Sequence, residues 1–242
     1  MEIIPQKYAY LAGSLYFLAV WLAFFWKWPN RRLPMATIGA FFIGLGLFAE
    51  YFWWLSDWWH PKTFTGTKIG IEDIILSFTL PGISVLIYKF FFKKDLDGKF
   101  ELDKGTFIAA AQRYLPIFLI SFVSAIILFS AFHVHSVIST SVGMMIASLM
   151  VMIRRKDLLP AMLWSAFLMV VVSIPAYFIF IFLSPGSIDA FWNFSQITGY
   201  KLTGIPIEDI LWFALAGFLM GGIVEYGFDY RLVDEKNARY EA

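Results

Sequence analysis

Long apolar runs separated by short polar segments fill this chain from one end to the other. A bilayer core about 30 Å thick is crossed by about 20 mostly apolar residues in a helix. By that measure seven spans are predicted, at 8–26, 34–55, 71–92, 107–130, 137–153, 159–183 and 206–228. The fifth is short and is expected to run into the loop before it. The polar segments between spans, the longest being 56–70 and 184–205, leave no room for a soluble domain.

Those two polar segments carry the same pattern. Trp59 stands seven residues before Gly66 and Trp192 seven before Gly199; Lys68 and Lys201 each follow the glycine by two. Ile-Glu-Asp-Ile then opens the next apolar run, with Glu72 and Asp73 in the first copy and Glu208 and Asp209 in the second. The second copy is slightly longer between Lys and Glu. Matched motifs at matched places in the hydropathy pattern indicate an internal duplication. The predicted unit is two helices, the motif loop and a third helix, with residues 1–92 as the first repeat, 93–136 as a linking helix and 137–242 as the second. An odd unit plus one linking helix makes the repeats parallel rather than inverted. The expected fold is therefore an all-α integral membrane protein of about seven spans.

Composition agrees: 60% of residues are hydrophobic and 15% charged, with a mean hydropathy of +0.69, against about 45–50% and about 25% in soluble domains. Absence of cysteine excludes disulfides and thiolate chemistry. A net charge of +1 without a basic stripe gives no reason to expect a nucleic-acid partner. The N-terminal residues lack the pattern of a cleaved signal, so the first apolar run is expected to remain as an anchor. Lys and Arg sort unevenly. Fifteen, including Lys27, Arg31, Lys89, Arg155 and Arg239, fall on one face, and Lys7, Lys62, Lys68 and Lys201 on the other. The positive-inside rule then predicts a cytoplasmic-membrane protein with its N-terminus outside, its C-terminus in the cytoplasm and both motifs on the outer side.

Ionisable residues within spans are costly and mark candidate sites. Besides the motif acids there is Glu50, about 24 Å along its helix from the cytoplasmic end at 1.5 Å per residue, hence near the motif level. Glu225 is expected at the cytoplasmic end, in solvent. Helix capping alone explains one Glu-Asp pair at a helix start, but two matched pairs point to a shared polar site. His60, His133 and His135 also fall on the outer side. Their spacing matches no metal motif, and they read as interfacial residues, so no metal is assigned. Trp53, Trp54, Trp58, Trp59, Trp192 and Trp212 cluster near the same boundary and are expected to form mostly an aromatic belt. Pro81 and Pro175 are expected to kink their helices, and Gly39, Gly44 and Gly46 to admit close neighbours. No nucleotide-binding or Ser-His-Asp pattern occurs, and the last span lacks the lysine a retinal Schiff base would need.

With Phe191-Trp192-Asn193-Phe194, Thr198-Gly199 and Pro206-Ile207-Glu208-Asp209 in one copy and Trp59, Thr65-Gly66 and Ile71-Glu72-Asp73 in the other, the chain resembles the membrane-integral lycopene cyclase domain family. Asp stands where that pattern has a second Glu, and Gly70 where it has Pro. The resemblance implies closure of β-ionone rings on lycopene-type polyene ends, without net redox change. That reaction asks for an acid to protonate an alkene, an apolar aromatic site for the cation, and a base. By this resemblance Glu72 and Glu208 are acid and base, Asp73 and Asp209 tune them, and Glu50 is a third member. Trp59, Trp192, Asn193, Phe194, Gly66, Gly199, Lys68, Lys201 and Pro206 are the substrate-binding positions it implies. The expected partners are a hydrophobic isoprenoid and the bilayer, with a homo-oligomer also compatible; no cofactor is required by the sequence. The alternative is a non-catalytic polyene or lipid carrier on the same fold.

Overall fold

Seven helices among the described residues, 3–238, are long and apolar enough to cross a membrane in this computed structural model. They are α1 Gln6–Lys27, α2 Pro29–Asp57, α3 Ile71–Phe92, α4 Lys104–Ala131, α5 Ser136–Arg154, α6 Lys156–Leu183 and α7 Ile207–Phe228. In an apolar run each backbone donor and acceptor is satisfied within its own helix, which is why these segments are helical. The connections supply the stops. Lys93 takes a left-handed conformation after α3, and Asp103 caps α4 by accepting the Gly105 and Thr106 amides at 2.6 and 3.1 Å. Those donors hold the Asp103 carboxyl below the usual carboxylate range. The fifth helix starts cleanly at Ser136, where the sequence suggested a blurred boundary. The Asp57 carboxylate accepts both the Ser136 amide, at 2.9 Å, and its hydroxyl. Arg239, counted with the cytoplasmic charges, lies outside the described residues.

Helices α1–α3 and α5–α7 repeat one arrangement, and α4 links them. In each repeat the third helix packs against the other two, α3 on α1 and α2, α7 on α5 and α6. In each, the second helix closes with a π-helical turn, Glu50–Trp54 in α2 and Ile179–Leu183 in α6. Such turns recur at functional sites because they re-aim side chains. Helices α3 and α6 continue through their internal prolines, Pro81 and Pro175.

Close packing of second on third helix relies on glycine. A Cβ at Gly39 would lie 2.5 Å from the Phe78 carbonyl, and one at Gly46 would strike Ser77. Gly44 departs from expectation, because its Cβ direction is open. Residues 39 and 46 are seven apart and share a helix face, whereas 44 lies off it.

At the end of the bundle away from the motifs, β1 Lys94–Leu96 pairs antiparallel with β4 Leu232–Asp234, clasping the α3–α4 link to the chain after α7. Arg31 and Asp95, both buried, form an ion pair beneath it. Arg155 donates to the Glu225 and Tyr230 carbonyls and to Asp157. Glu225 is not in solvent: it is 0% exposed and its carboxylate is 2.5 Å from Lys89 Nζ. Its position near a helix end suggested water, but α3 and α7 converge there and enclose it.

Candidate active site at the motif end of the bundle

The two motif loops meet through the same residue of each copy. Trp59 and Trp192 form an antiparallel bridge; the His60 amide donates to the Phe191 carbonyl at 2.5 Å and the Asn193 amide to the Trp58 carbonyl at 2.8 Å. In both directions the residue after the tryptophan donates to the residue before its partner. Reciprocal contacts of this kind define a local two-fold relation, as at a symmetric dimer interface, here within one chain.

The axis gathers five carboxyls. Glu50, Glu72, Asp73, Glu208 and Asp209 are all buried, and among the described residues none is in an ion pair. A buried carboxyl without a cation depends on hydrogen bonds or on carrying its own proton. The glutamates are held alike: Glu72 Oε1 accepts the Phe64 amide at 2.6 Å and Glu208 Oε1 the Thr198 amide at 2.7 Å, while each Oε2 has no partner.

The aspartates differ, and one residue explains it. Gly70 precedes α3 and its amide donates to Asp73 Oδ2 at 2.6 Å, the half of a capping box that a glycine can make, which leaves Oδ1 for the Tyr10 hydroxyl. Pro206 precedes α7 and has no amide to give. Asp209 instead accepts Trp58 Nε1 from the other copy at 3.1 Å and the Tyr177 hydroxyl at 2.7 Å. Glu50 takes Trp59 Nε1 at 3.3 Å, and the Tyr10 ring meets the Trp59 ring edge to face at 5.1 Å.

Aromatic rings fill the space between these acids. Trp58 meets Trp54 edge to face and lies tilted against Trp59 and Trp212, while Trp192 is tilted against Trp59 and Tyr177 and meets Phe180 edge to face, at centroid distances of 5.4–6.3 Å. This corrects the expected belt: Trp58 and Trp192 are buried, and Trp54, Trp59 and Trp212 half-buried, in a cluster that joins the repeats. The rings pack on one another rather than around an open chamber. Tyr10, Tyr177 and Trp58 were not singled out as site residues by sequence. A tyrosine in an apolar span must find a partner, but among 11 tyrosines the sequence does not say which ones meet a motif acid.

The other predicted positions frame the site. Gly66 and Gly199 turn the loops with φ of 73° and 75°, a conformation glycine adopts without strain. Lys68 and Lys201 are exposed and turned outward, Lys68 to the Tyr51 carbonyl and ring, Lys201 to Asp189 and the Phe194 ring. Asn193 Oδ1 accepts Ser195 Oγ at 2.7 Å. The extra residues of the second copy form a hairpin, β2 Lys201–Leu202 with β3 Ile205–Pro206, turning through Thr203 and Gly204, both at positive φ. His60 is exposed, and His135 lies 3.6 Å from Asp57. Among the described residues no three His, Asp or Glu side chains are grouped to hold a metal.

Fold and site together define a polytopic membrane protein with a duplicated carboxyl site on an internal two-fold axis. The family model for lycopene cyclase matches residues 7–91 and 135–227, the two repeats without the linking helix, and the chain belongs to that family. Membership supports a carotenoid cyclase function in general, with a hydrophobic carotenoid as substrate. No curated protein and no solved structure matches the chain.

Proposed function

We propose that this protein closes β-ionone rings on the ends of a lycopene-type polyene by acid-initiated isomerisation. The observation that carries the proposal is the burial of both motif pairs and Glu50, five carboxyls without a cationic partner among the described residues, linked across the copies by the Trp58–Asp209 hydrogen bond and packed among aromatic rings. A carboxylic acid O–H transfers its proton to the terminal alkene, leaving a tertiary cation. The next alkene attacks that cation and closes the six-membered ring, and a carboxylate removes a ring proton to restore a double bond. One proton enters and one leaves, so neither oxidant nor water is consumed. Glu72 and Glu208 are the acid–base candidates as the matched glutamates of the two motifs, and each, like Glu50, keeps one oxygen without a hydrogen bond. Asp73 and Asp209 fix Tyr10, Tyr177 and Trp58 around them. The ring faces of Trp58, Trp59 and Trp192 suit a passing cation. The charge distribution supports an orientation with the motif end outward and the C-terminus in the cytoplasm.

The test is expression in lycopene-producing cells with chromatography of the extracted pigments, beside a Glu72→Gln, Glu208→Gln double variant. Cyclic carotenes from the wild type that disappear in the variant are expected. Unchanged lycopene in both, with the protein folded in the membrane, rejects the cyclase reading in favour of a carrier.

A further inference from the structure

The two copies of the acid motif are related by the local two-fold axis, yet their glutamates face different surroundings. Glu72 is 0% exposed, and its free Oε2 folds back over Gly70. A Cβ added to Gly70 would strike that oxygen and lie 2.8 Å from Thr63 Cβ. The space the carboxyl occupies therefore exists only because residue 70 has no side chain. In the second copy the matching residue is Pro206, whose ring fills that direction. Glu208 cannot fold back in the same way. It borders an open cleft of ≈ 260 Å³ between its own loop and the start of α5, with Val137, Ile138 and Ile197 as its apolar wall and His135, Ser195, Gln196 and Thr198 as its polar one. Glu208 is itself 6% exposed, and its Oε2 has no hydrogen-bond partner. An unpartnered buried carboxyl oxygen beside a concave, partly apolar wall can present its proton to an apolar group seated there.

Resting on the cyclase reading for its chemistry, we infer that the cleft beside Glu208 seats the polyene end, so that the second copy presents the acid and the first is closed by Glu72 over Gly70. The occupant is an apolar alkene end. Val137, Ile138 and Ile197 offer aliphatic contact, and Ile138 is 43% exposed on a spanning helix, a route for a lipid-dissolved chain. A proton passes directly from the Glu208 carboxyl to an alkene carbon there, and the Glu208 carboxylate so formed takes back a ring proton once the ring has closed, so the step balances without a co-reactant. The departure of the first motif from the family pattern, Gly for Pro, then has a physical consequence: it withdraws one of two duplicated acids.

The chain contains no cysteine, so one introduced thiol reports one place. Ile197→Cys, and Phe64→Cys at the matching position five residues after Trp59, are made in the full chain in membranes. Alkylation by a lipid-soluble maleimide is then followed with and without lycopene. Lycopene is expected to slow labelling of the Ile197→Cys thiol about tenfold, the protection given by ligand at about ten times its Kd, and to leave the Phe64→Cys thiol unchanged. Equal protection of both thiols, or of neither, overturns the inference. Thr198→Cys replaces Ile197→Cys if that variant does not fold. Pigments from the same membranes separate the two readings. Cyclic carotene without protection rejects the cleft and leaves the cyclase, whereas protection without cyclic carotene sustains the cleft as a polyene seat and rejects the cyclase.

Discussion

Lys89 and Glu225 occupy the same position in the two repeats, seventeen residues after Glu72 and Glu208, and they meet as a buried pair at 2.5 Å. The two-fold relation that joins Trp59 to Trp192 at the motif end thus reappears at the far end of α3 and α7, with opposite charges in place of identical rings. Two copies of either residue would repel across the axis. The duplication has diverged where the axis required it to.

Removing one partner leaves a buried charge alone, which costs about 3–5 kcal/mol. Lys89→Met is therefore expected to lower the thermal midpoint in detergent strongly. The Lys89→Met, Glu225→Met double variant should recover most of the loss, since an apolar pair avoids the desolvation of both charges. A double variant no more stable than the single one would show that the pair is not coupled.

Trp58 Nε1 is the donor that reaches Asp209 from the other repeat. Trp58→Phe keeps an aromatic ring but removes that bond, and a buried hydrogen bond to a charged group is worth about 1.5–3 kcal/mol. Cyclic carotene yield should fall with retained membrane insertion, and Tyr177→Phe, which removes the second donor to Asp209, should act in the same direction. Wild-type yield from both variants would detach Asp209 from the reaction.

The clasp at the opposite end is expected to respond to pH. Lys94 lies 2.8 Å from Asp234 and holds its carboxyl below the usual aspartate range. A lowered folded-state pKa contributes stability that is present above the ordinary aspartate pKa and lost as pH falls through the lowered one. Amide exchange of 232–234 and 94–96 should therefore quicken on acidification below the normal aspartate range. Asp234→Asn should exchange quickly at every pH, and a wild-type clasp insensitive to acid would rule the ion pair out as its fastener.

The seven spans, the duplication and the glutamates and aspartates of the motif were legible in the sequence, because hydropathy and local spacing belong to single segments. Trp59 and Trp192 could be matched as copies, but their pairing could not be read, since it depends on how segments more than a hundred residues apart are brought face to face. Glu225 illustrates the same limit. Its distance along α7 was correct, yet its burial was set by Lys89 on α3.

Gly70 and Pro206 mark the boundary most clearly. Sequence alone determined that one copy has glycine where the other has proline, and that both precede a Glu-Asp pair. Only the tertiary structure decided what this does: a missing Cβ gives Glu72 room to fold inward, Asp209 takes Trp58 where Asp73 takes the Gly70 amide, and Glu208 is left facing a cleft. A motif fixes which groups are present, whereas the direction each oxygen takes is set by the nearest atoms of the packed chain, whatever their distance in sequence.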